Sequence, residues 1–192
     1  MRAFESLLAK VGTALEQADI PYMVIGGQAA LIYGEARFTR DIDITLGIDT
    51  DQAERIRKIA RELSLEPGEE ATEEFVKRNA LLSAEDQKTG IVVDFIFSFL
   101  PYERQAIQRA RSVDIGAAHV RFATVEDTVI HKLFAGRPRD IEDVKGIVNS
   151  TRKIDKTYLK KWLKDFSSVA GRDLAKEYDE IETAMGGNED ET

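Results

Sequence analysis

The chain contains no cysteine. A disulfide framework and thiol chemistry are therefore excluded, and the composition fits a reducing, cytoplasmic location. Long apolar runs are also missing: no stretch approaches the roughly 20 residues that a membrane-spanning helix needs, and residues 1–6 do not resemble a signal peptide. Basic residues are not in excess, because the formal net charge is −8. That charge argues against a protein that coats nucleic acid without specificity, although a local basic groove is compatible with it.

The chain does contain enough apolar residues for a core, since 43% of its 192 residues are hydrophobic and 32% are charged. This length suits one domain, or one domain with a small appendage. Strand and helix patterns are mixed as far as residue 123, and from there on the apolar spacing is helical. We therefore expect an α/β (α+β) domain over residues 1–123, a helical subdomain over residues 124–185 and a disordered acidic tail over residues 186–192.

Signals for individual elements differ in strength within the first domain. Residues 91–97 form the most apolar strand pattern, directly after a turn signal. Residues 79–83 predict a further strand, and a helix is expected from Pro101 to about residue 111. Residues 66–78 are rich in glutamate and show little periodicity, so we expect a solvated loop or a short helix there.

Two glycines and two aspartates mark the most informative stretch. Gly26 and Gly27 follow a short apolar strand, and Asp41 and Asp43 lie two residues apart inside the next one. Because side chains alternate along a strand, both carboxylates project from the same face. Neighbouring carboxylates repel each other and aspartate is unfavourable in strands, so a divalent cation is the simplest compensation. The glycine turn would let phosphates approach the backbone at the start of the short helix that follows.

A third carboxylate, Asp94, lies in the middle of the apolar strand at residues 91–97. A bare carboxylate buried there needs a partner. If this strand pairs with the strand of the two earlier aspartates, three acids share one sheet face. Such a cluster can hold Mg²⁺ ions that bridge a triphosphate, while one acid accepts a proton from an attacking hydroxyl. The structural alternative is a set of ordinary ion pairs, such as Asp41 with Arg37 or Arg40, beside a plain glycine turn.

These residues resemble the nucleotidyltransferase superfamily with the polymerase-beta-like palm, in the branch of AbiEii-type and related minimal nucleotidyltransferases. The resemblance covers about residues 20–145 and depends on three motifs in order: Gly26-Gly27, then Arg37-Phe38-Thr39-Arg40-Asp41-Ile42-Asp43, then Asp94 in a later apolar strand. It implies a mixed palm-like sheet with flanking helices. It also implies a metal-dependent enzyme that transfers NMP from an NTP, with Mg²⁺ as cofactor and release of pyrophosphate.

The resemblance implies roles for single residues as well. Asp41, Asp43 and Asp94 would bind metal, and Asp94 would alternatively act as the base. The glycine motif would hold the triphosphate. Many members of the family have serine after the glycine, where this chain has Gln28, so Gln28 becomes a candidate nucleotide contact. The second motif adds further candidate nucleotide contacts: Arg37, Thr39 and Arg40.

In the same branch a lysine precedes an Arg-Asp-x-x-Asp segment, and this chain has Lys132 followed by Arg139-Asp140-Ile141-Glu142-Asp143. Lys132 falls at the edge of the apolar face of its helix, where its stem can cross the core and present its charge to a cleft. We expect Lys132 to take part in catalysis by contacting the nucleotide phosphates, with Asp140 orienting it or Arg139. The structural alternatives are a surface lysine and a helix-capping aspartate. His131 falls on the far side of the helix and is expected to be exposed.

The acceptor is open among three hypotheses. First, tRNA or another RNA is the acceptor, as in toxins of toxin–antitoxin pairs, with an antitoxin protein as partner. A basic stripe at helical spacing supports it, although such a stripe is more often a solvated face; its members are Lys153, Lys156, Lys160 and Lys164. Second, an acidic pocket recognises a polycation such as an aminoglycoside, which the net charge of −8 allows. Third, the domain only binds a nucleotide or a partner protein, and the three acids argue against this.

Overall fold

The computed structural model describes residues 3–34, 41–69, 71–98, 100–151 and 153–186. The chain divides into two compact units, Met1–Gly27 with Thr39–Ala123, and Gln28–Phe38 with Thr124–Thr192. The grouping of residues 28–38 with the second unit has no counterpart in the sequence pattern, and the domain division at residues 123 and 124 stays a prediction. The acidic residues of the expected tail lie outside the described residues.

The described strands belong to the first unit and form one mixed sheet. They are β1 (Tyr22–Val24), β2 (Asp41–Leu46), β3 (Leu65–Pro67), β4 (Leu81–Asp86), β5 (Ile91–Phe97), β6 (Arg111–Ile115) and β7 (Ala118–Phe122). Their order across the sheet is β3-β4-β5-β2-β1-β7-β6. Strand β2 is parallel to β5 and β1 is parallel to β7, while the other neighbours are antiparallel. The predicted mixed α/β class is confirmed.

The helices fall in both units. They are α1 (Ala3–Gln17), α2 (Gly26–Tyr33), α3 (Ala53–Glu62), α4 (Glu73–Asn79), α5 (Pro101–Arg109), α6 (Val125–Ala135), α7 (Pro138–Ser150), α8 (Lys156–Ala170) and α9 (Leu174–Gly186), with a 3-10 turn at Thr50–Gln52. Helices α1, α3, α4 and α5 belong to the first unit and α6 to α9 to the second. Helix α2 begins in the first unit and continues into the second. None of the described helices combines the length and the apolarity that crossing a bilayer requires.

The core of the first unit explains why β2 carries its acids on one face. Ile42, Ile44 and Leu46 are completely buried, whereas Asp43 is half-buried and Asp41 is exposed. On the apolar side, Gly12 lets α1 approach the sheet closely, because a Cβ at that position would lie 2.9 Å from the hydroxyl of Tyr22. Burial therefore alternates over residues 41–44, as the sequence does, and on the face of the acids it becomes complete at Thr45.

The second unit is helical, as its sequence pattern predicts. Helices α6 and α7 begin where capping residues stand: the Thr124 hydroxyl accepts from the backbone N–H of Asp127, and Pro138 occupies the first turn of α7. Residues Tyr33 and Gly34 contact α7, since the Thr151 hydroxyl donates to the Tyr33 carbonyl at 3.4 Å and a Cβ on Gly34 would lie 3.3 Å from Ile147. These contacts place residues 28–34 in the helical unit.

Two stretches of the first unit differ from the expectation. The helix from Pro101 ends at Arg109, and β6 follows at once. Strand β6 lies at the sheet edge with its side chains largely exposed, so it lacks the apolar alternation that reveals a strand. Residues 66–78, expected as loop or short helix, contribute to the short edge strand β3 as well as to α4, and proline is tolerated at such an edge.

Candidate active site

The register between β2 and β5 gathers the predicted acids. The two strands are parallel, and Asp43 lies directly opposite Asp94. Asp41 shares the face of Asp43, because the two residues are two positions apart in the same strand. Asp43 and Asp94 are both half-buried. The pairing of these two strands, which the sequence left conditional, therefore places all three carboxylates on one side of the sheet.

Gly26 lies directly against this face. The backbone N–H of Ile25 donates to the carbonyl of Asp43 at 2.9 Å, so the end of β1 is held beside β2. Gly26 then adopts a left-handed conformation with φ +67, and a Cβ there would lie 1.9 Å from Asp43 Oδ2. Both the conformation and the close approach require glycine. Helix α2 begins at this residue, so its first backbone amides lie next to the Asp43 carboxylate.

Sequence reasoning missed Ser83, a residue of β4. Its hydroxyl donates to Asp94 Oδ1 at 2.5 Å, and the two residues are partners in the antiparallel register of β4 and β5. Ser83 could have been found from the turn predicted directly before β5. If the residues that flank this turn, Asp86 and Ile91, are paired, counting outward along the two strands places residue 83 opposite residue 94. The predicted strand at residues 79–83 ended too early for this count.

The donor chemistry and the strand register of this face suit a divalent metal. Carboxylate oxygens are the ligands that Mg²⁺ prefers, and Asp43 and Asp94 offer them side by side. Within the described residues, no three side chains of the His, Cys, Asp or Glu types converge closely enough to form a complete metal site. Asp41 is exposed and precedes Asp43 by two residues in β2. The three acids are therefore donors of the type that binds a divalent metal: Asp43 and Asp94 are adjacent, and Asp41 lies on the same face.

Lys132 occupies a buried position in the second unit. Only 6% of its surface is exposed, and its ammonium contacts Asp140 Oδ1 at 2.8 Å and Asp143 Oδ2 at 2.7 Å. A charge at such a site must be paired, because its desolvation is costly. The sequence related Asp140 to Lys132, as the residue that would orient it or Arg139. It did not anticipate that Asp143 completes the cluster or that the ammonium lies inside the unit.

The other predicted nucleotide contacts are distributed differently. Gln28 is half-buried in the first turn of α2, and Arg139 is exposed in the first turn of α7. Arg37, Thr39 and Arg40 lie outside the described residues. The roles assigned to all of these residues stay predictions.

The prediction that His131 is exposed is wrong. The residue is half-buried, and its Nε2 is shielded from solvent. Burial, and to a smaller extent the neighbouring charge of Lys132, lowers the pKa of His131 from 6.5 to about 4. The reason is that α6 packs against α7, α8 and α9, so side chains beyond its most apolar face are also covered.

The basic stripe is partly neutralised within the second unit. Lys156 lies 3.0 Å from Glu182, and Lys160 lies 2.7 Å from Asp179. The bond to Asp179 also raises the pKa of Lys160. Both acids belong to α9, so two members of the stripe serve to join α8 to α9.

Comparison with known proteins identifies a family. The family model described as "Nucleotidyl transferase AbiEii toxin, Type IV TA system" matches residues 13–191, nearly the whole chain. Among curated proteins, none matches the sequence.

Several solved structures share the fold at low sequence identity. An antigenic nucleotidyltransferase-like protein from Paracoccidioides brasiliensis superposes with a TM-score of 0.55 at 14% identity, over 91% of either chain. The enzyme ANT(2")-Ia, solved with adenylyl-2"-tobramycin, gives a TM-score of 0.53 at 16% identity, over 97% of this chain and 99% of its own. The lincosamide antibiotic adenylyltransferase LnuA, solved with lincomycin, gives 0.55 at 15% identity, over 77% and 98%. These likenesses extend to the fold.

Proposed function

The chain belongs to the AbiEii nucleotidyl transferase family and is a nucleotidyltransferase, and we propose that it moves NMP from an NTP to a hydroxyl or phosphate acceptor, releasing pyrophosphate. One observation carries this proposal: Asp43 lies opposite Asp94 in the sheet, on the face of Asp41 and in contact with Gly26. A module that only binds nucleotide has no need of three acids there.

We assign Asp41 and Asp43 to the binding of a divalent metal, Mg²⁺ in our proposal. Asp94 either shares that metal or accepts the proton of the attacking hydroxyl. When bound, the metal supplies charge neutralisation for the triphosphate, which is the main form of catalysis in phosphoryl and nucleotidyl transfer. The chain itself contributes the placement of the three acids on a rigid pair of strands.

The triphosphate would lie at the start of α2. Helix α2 begins at Gly26, beside the Asp43 carboxylate, and the first N–H groups of a helix attract anions. Gln28 would add a contact from the same turn, and Arg37, Thr39 and Arg40 would add theirs. Lys132 is a further candidate contact of the phosphates, and Asp140, which its ammonium contacts at 2.8 Å, would orient it or Arg139.

For the acceptor we propose RNA, with tRNA as the first candidate. The family description names a toxin of a toxin–antitoxin system, and an RNA acceptor fits a toxin because its modification would stop translation. An antitoxin protein is then the expected partner. A small-molecule acceptor is the second candidate. The ion pairs of Lys156 and Lys160 leave less free positive charge for an RNA backbone. One protein of similar fold is named a lincosamide antibiotic adenylyltransferase, and another was solved with adenylyl-2"-tobramycin.

A transfer assay tests both candidates. The protein is incubated with Mg²⁺, each α-labelled NTP and either total RNA or a panel of aminoglycosides and lincosamides. Asp43→Asn and Asp94→Asn should each reduce labelling by about 100-fold or more, since each removes a charge from the reacting centre. Asp114→Asn, on the exposed hairpin of β6 and β7, is the matched control and should label like wild type. Labelling that is absent with every NTP and acceptor, or equal in all variants, would refute the proposal.

A further inference from the structure

Ser83 contacts one of the three acids yet belongs to none of the motifs above. Its hydroxyl donates to Asp94 Oδ1 at 2.5 Å, within the short range of hydroxyl–carboxylate hydrogen bonds. Across β4, β5 and β2 the register places Ser83, Asp94 and Asp43 in one row of the same sheet face. The hydroxyl and the second carboxylate therefore flank Asp94 on opposite sides.

The backbone of Ser83 is held firmly. Strand β4 is bonded to β5 on one side and to β3 on the other. Its neighbours Leu82 and Ala84 point to the opposite face and are buried. Serine has a single side-chain torsion, χ1, with three staggered positions, and the Ser83 hydroxyl adopts one in which it donates to Asp94 Oδ1.

The chemistry of the contact suits a carboxylate that must stay charged. Asp43 beside Asp94 repels it, and a neutral hydroxyl donor offsets part of that repulsion without cancelling the negative charge. A lysine or arginine at the same place would neutralise the charge and compete with a cation. The hydroxyl also restrains the rotation of the Asp94 carboxylate, because Oδ1 is held to a fixed donor.

We propose that Ser83 is a positioning residue for Asp94: by binding Oδ1 it leaves Oδ2 as the oxygen offered to the divalent metal or to the attacking hydroxyl. This inference rests on the proposed function, in which Asp94 binds metal or accepts the proton. Groups that orient a metal-binding carboxylate contribute about 10- to 100-fold to metal affinity or activity.

The pair Ser83→Val and Ser83→Thr tests the proposal. Valine and threonine have the same shape and both suit a strand, and they differ in the hydroxyl alone. Binding of Mn²⁺ without nucleotide is followed by its electron paramagnetic resonance signal, and label transfer gives kcat and KM. We expect Ser83→Val to weaken Mn²⁺ binding or lower kcat by about 10- to 100-fold with KM for the NTP little changed. Ser83→Thr should retain most of the wild-type values.

A matched control removes a similar bond in the same hairpin. The Thr89 hydroxyl donates to Asp86 Oδ2 at 2.8 Å on an exposed turn, so Thr89→Val should leave Mn²⁺ binding and kcat unchanged. Thermal melting checks that each variant is folded.

The outcomes distinguish a failure of this inference from a failure of the proposed function. If wild type binds Mn²⁺ and loses it in Asp43→Asn, but Ser83→Val and Ser83→Thr behave alike, the role of Ser83 is overturned and the proposed function stands. If wild type neither binds Mn²⁺ nor transfers label, both are overturned.

Discussion

Gly26 and Asp43 illustrate how single residues determine the candidate site. Gly26 is in the left-handed region, and the space that a side chain would take is occupied by the Asp43 carboxylate. A change at Gly26 therefore acts on the acid as well as on the turn. The sequence suggested glycine for the approach of phosphate, and the structure adds a second reason for it.

We expect Gly26→Ala to reduce label transfer to background and to destabilise the protein by more than the roughly 1–2 kcal/mol of the left-handed conformation. The added methyl group must displace the Asp43 carboxylate, and with it the arrangement of the three acids. Label transfer and urea unfolding measure the two effects.

Gly90→Ala is the matched control for this substitution. Gly90 has φ +68, and a Cβ there would meet its nearest atom only at 3.8 Å. Gly90→Ala should therefore lose about 1–2 kcal/mol of stability, from the left-handed conformation, and keep full activity. Equal losses of activity in the two variants would contradict our account of Gly26.

Lys132 gives the second prediction at this scale. Lys132→Met removes the ammonium that pairs with two buried acids, Asp140 and Asp143, and leaves Asp140 only the longer contact of 3.7 Å to Arg137. Breaking a buried cluster of this kind costs about 3–5 kcal/mol. Urea unfolding at pH 7 measures the change in free energy of unfolding.

Lys145→Met is the corresponding surface control. Lys145 contacts Glu142 at the same distance of 2.8 Å, but both side chains are exposed, so the loss should be at most about 1 kcal/mol. A similarly small loss for Lys132→Met would show that this cluster is solvated.

At the scale of elements, the start of α6 is held by the helix α8. Asp127 is fully buried; it accepts hydrogen bonds from the Thr124 hydroxyl at 2.7 Å and from the Tyr158 hydroxyl at 2.7 Å. The backbone N–H of Asp155 donates to Glu126 at 2.9 Å from the same side. The capping residue Thr124 and its partner Asp127 are thus part of a junction between two helices.

We predict that Tyr158→Phe destabilises the protein by about 2 kcal/mol, because a buried carboxylate loses a donor that water cannot replace. Chemical denaturation measures it. Tyr178→Phe is the control, since the Tyr178 hydroxyl bonds to Glu182 at 2.9 Å within one helix, at a partly exposed acid. It should cost about 1 kcal/mol or less. A larger loss of stability for Tyr178→Phe than for Tyr158→Phe would contradict the role of Tyr158 in this junction.

For the whole molecule, His131 makes stability depend on pH. In the folded chain its pKa is about 4, against 6.5 for the ordinary group. Between these values the unfolded chain binds the proton and the folded chain does not, so stability is full above about pH 6.5 and falls as the pH approaches 4. The loss from this residue amounts to about 3 kcal/mol.

Urea unfolding at pH 7 and pH 4.5 measures this dependence. His131→Asn should lose less stability on acidification than wild type. An unchanged pH dependence in His131→Asn would show that another group is responsible.

Much of the candidate site could be read from the sequence because its signals are local. Alternation within β2 sets Asp41 and Asp43 on one face, a lone acid in the apolar β5 requires a partner, and capping residues mark the start of α6. Strand β6 and the burial of His131 could not be read in the same way. An edge strand needs no apolar alternation, and the covering of a helix depends on neighbours that are distant in the chain.

The sequence by itself therefore determined the kind of protein: a mixed α/β nucleotidyltransferase with three acids and a glycine turn. Tertiary structure decided the partners: Asp43 beside Asp94, Ser83 on Asp94, and Lys132 between Asp140 and Asp143. The physical reason is range. Periodicity, turns and caps act over a few residues, whereas strand register and the pairing of buried charges depend on which segments pack together.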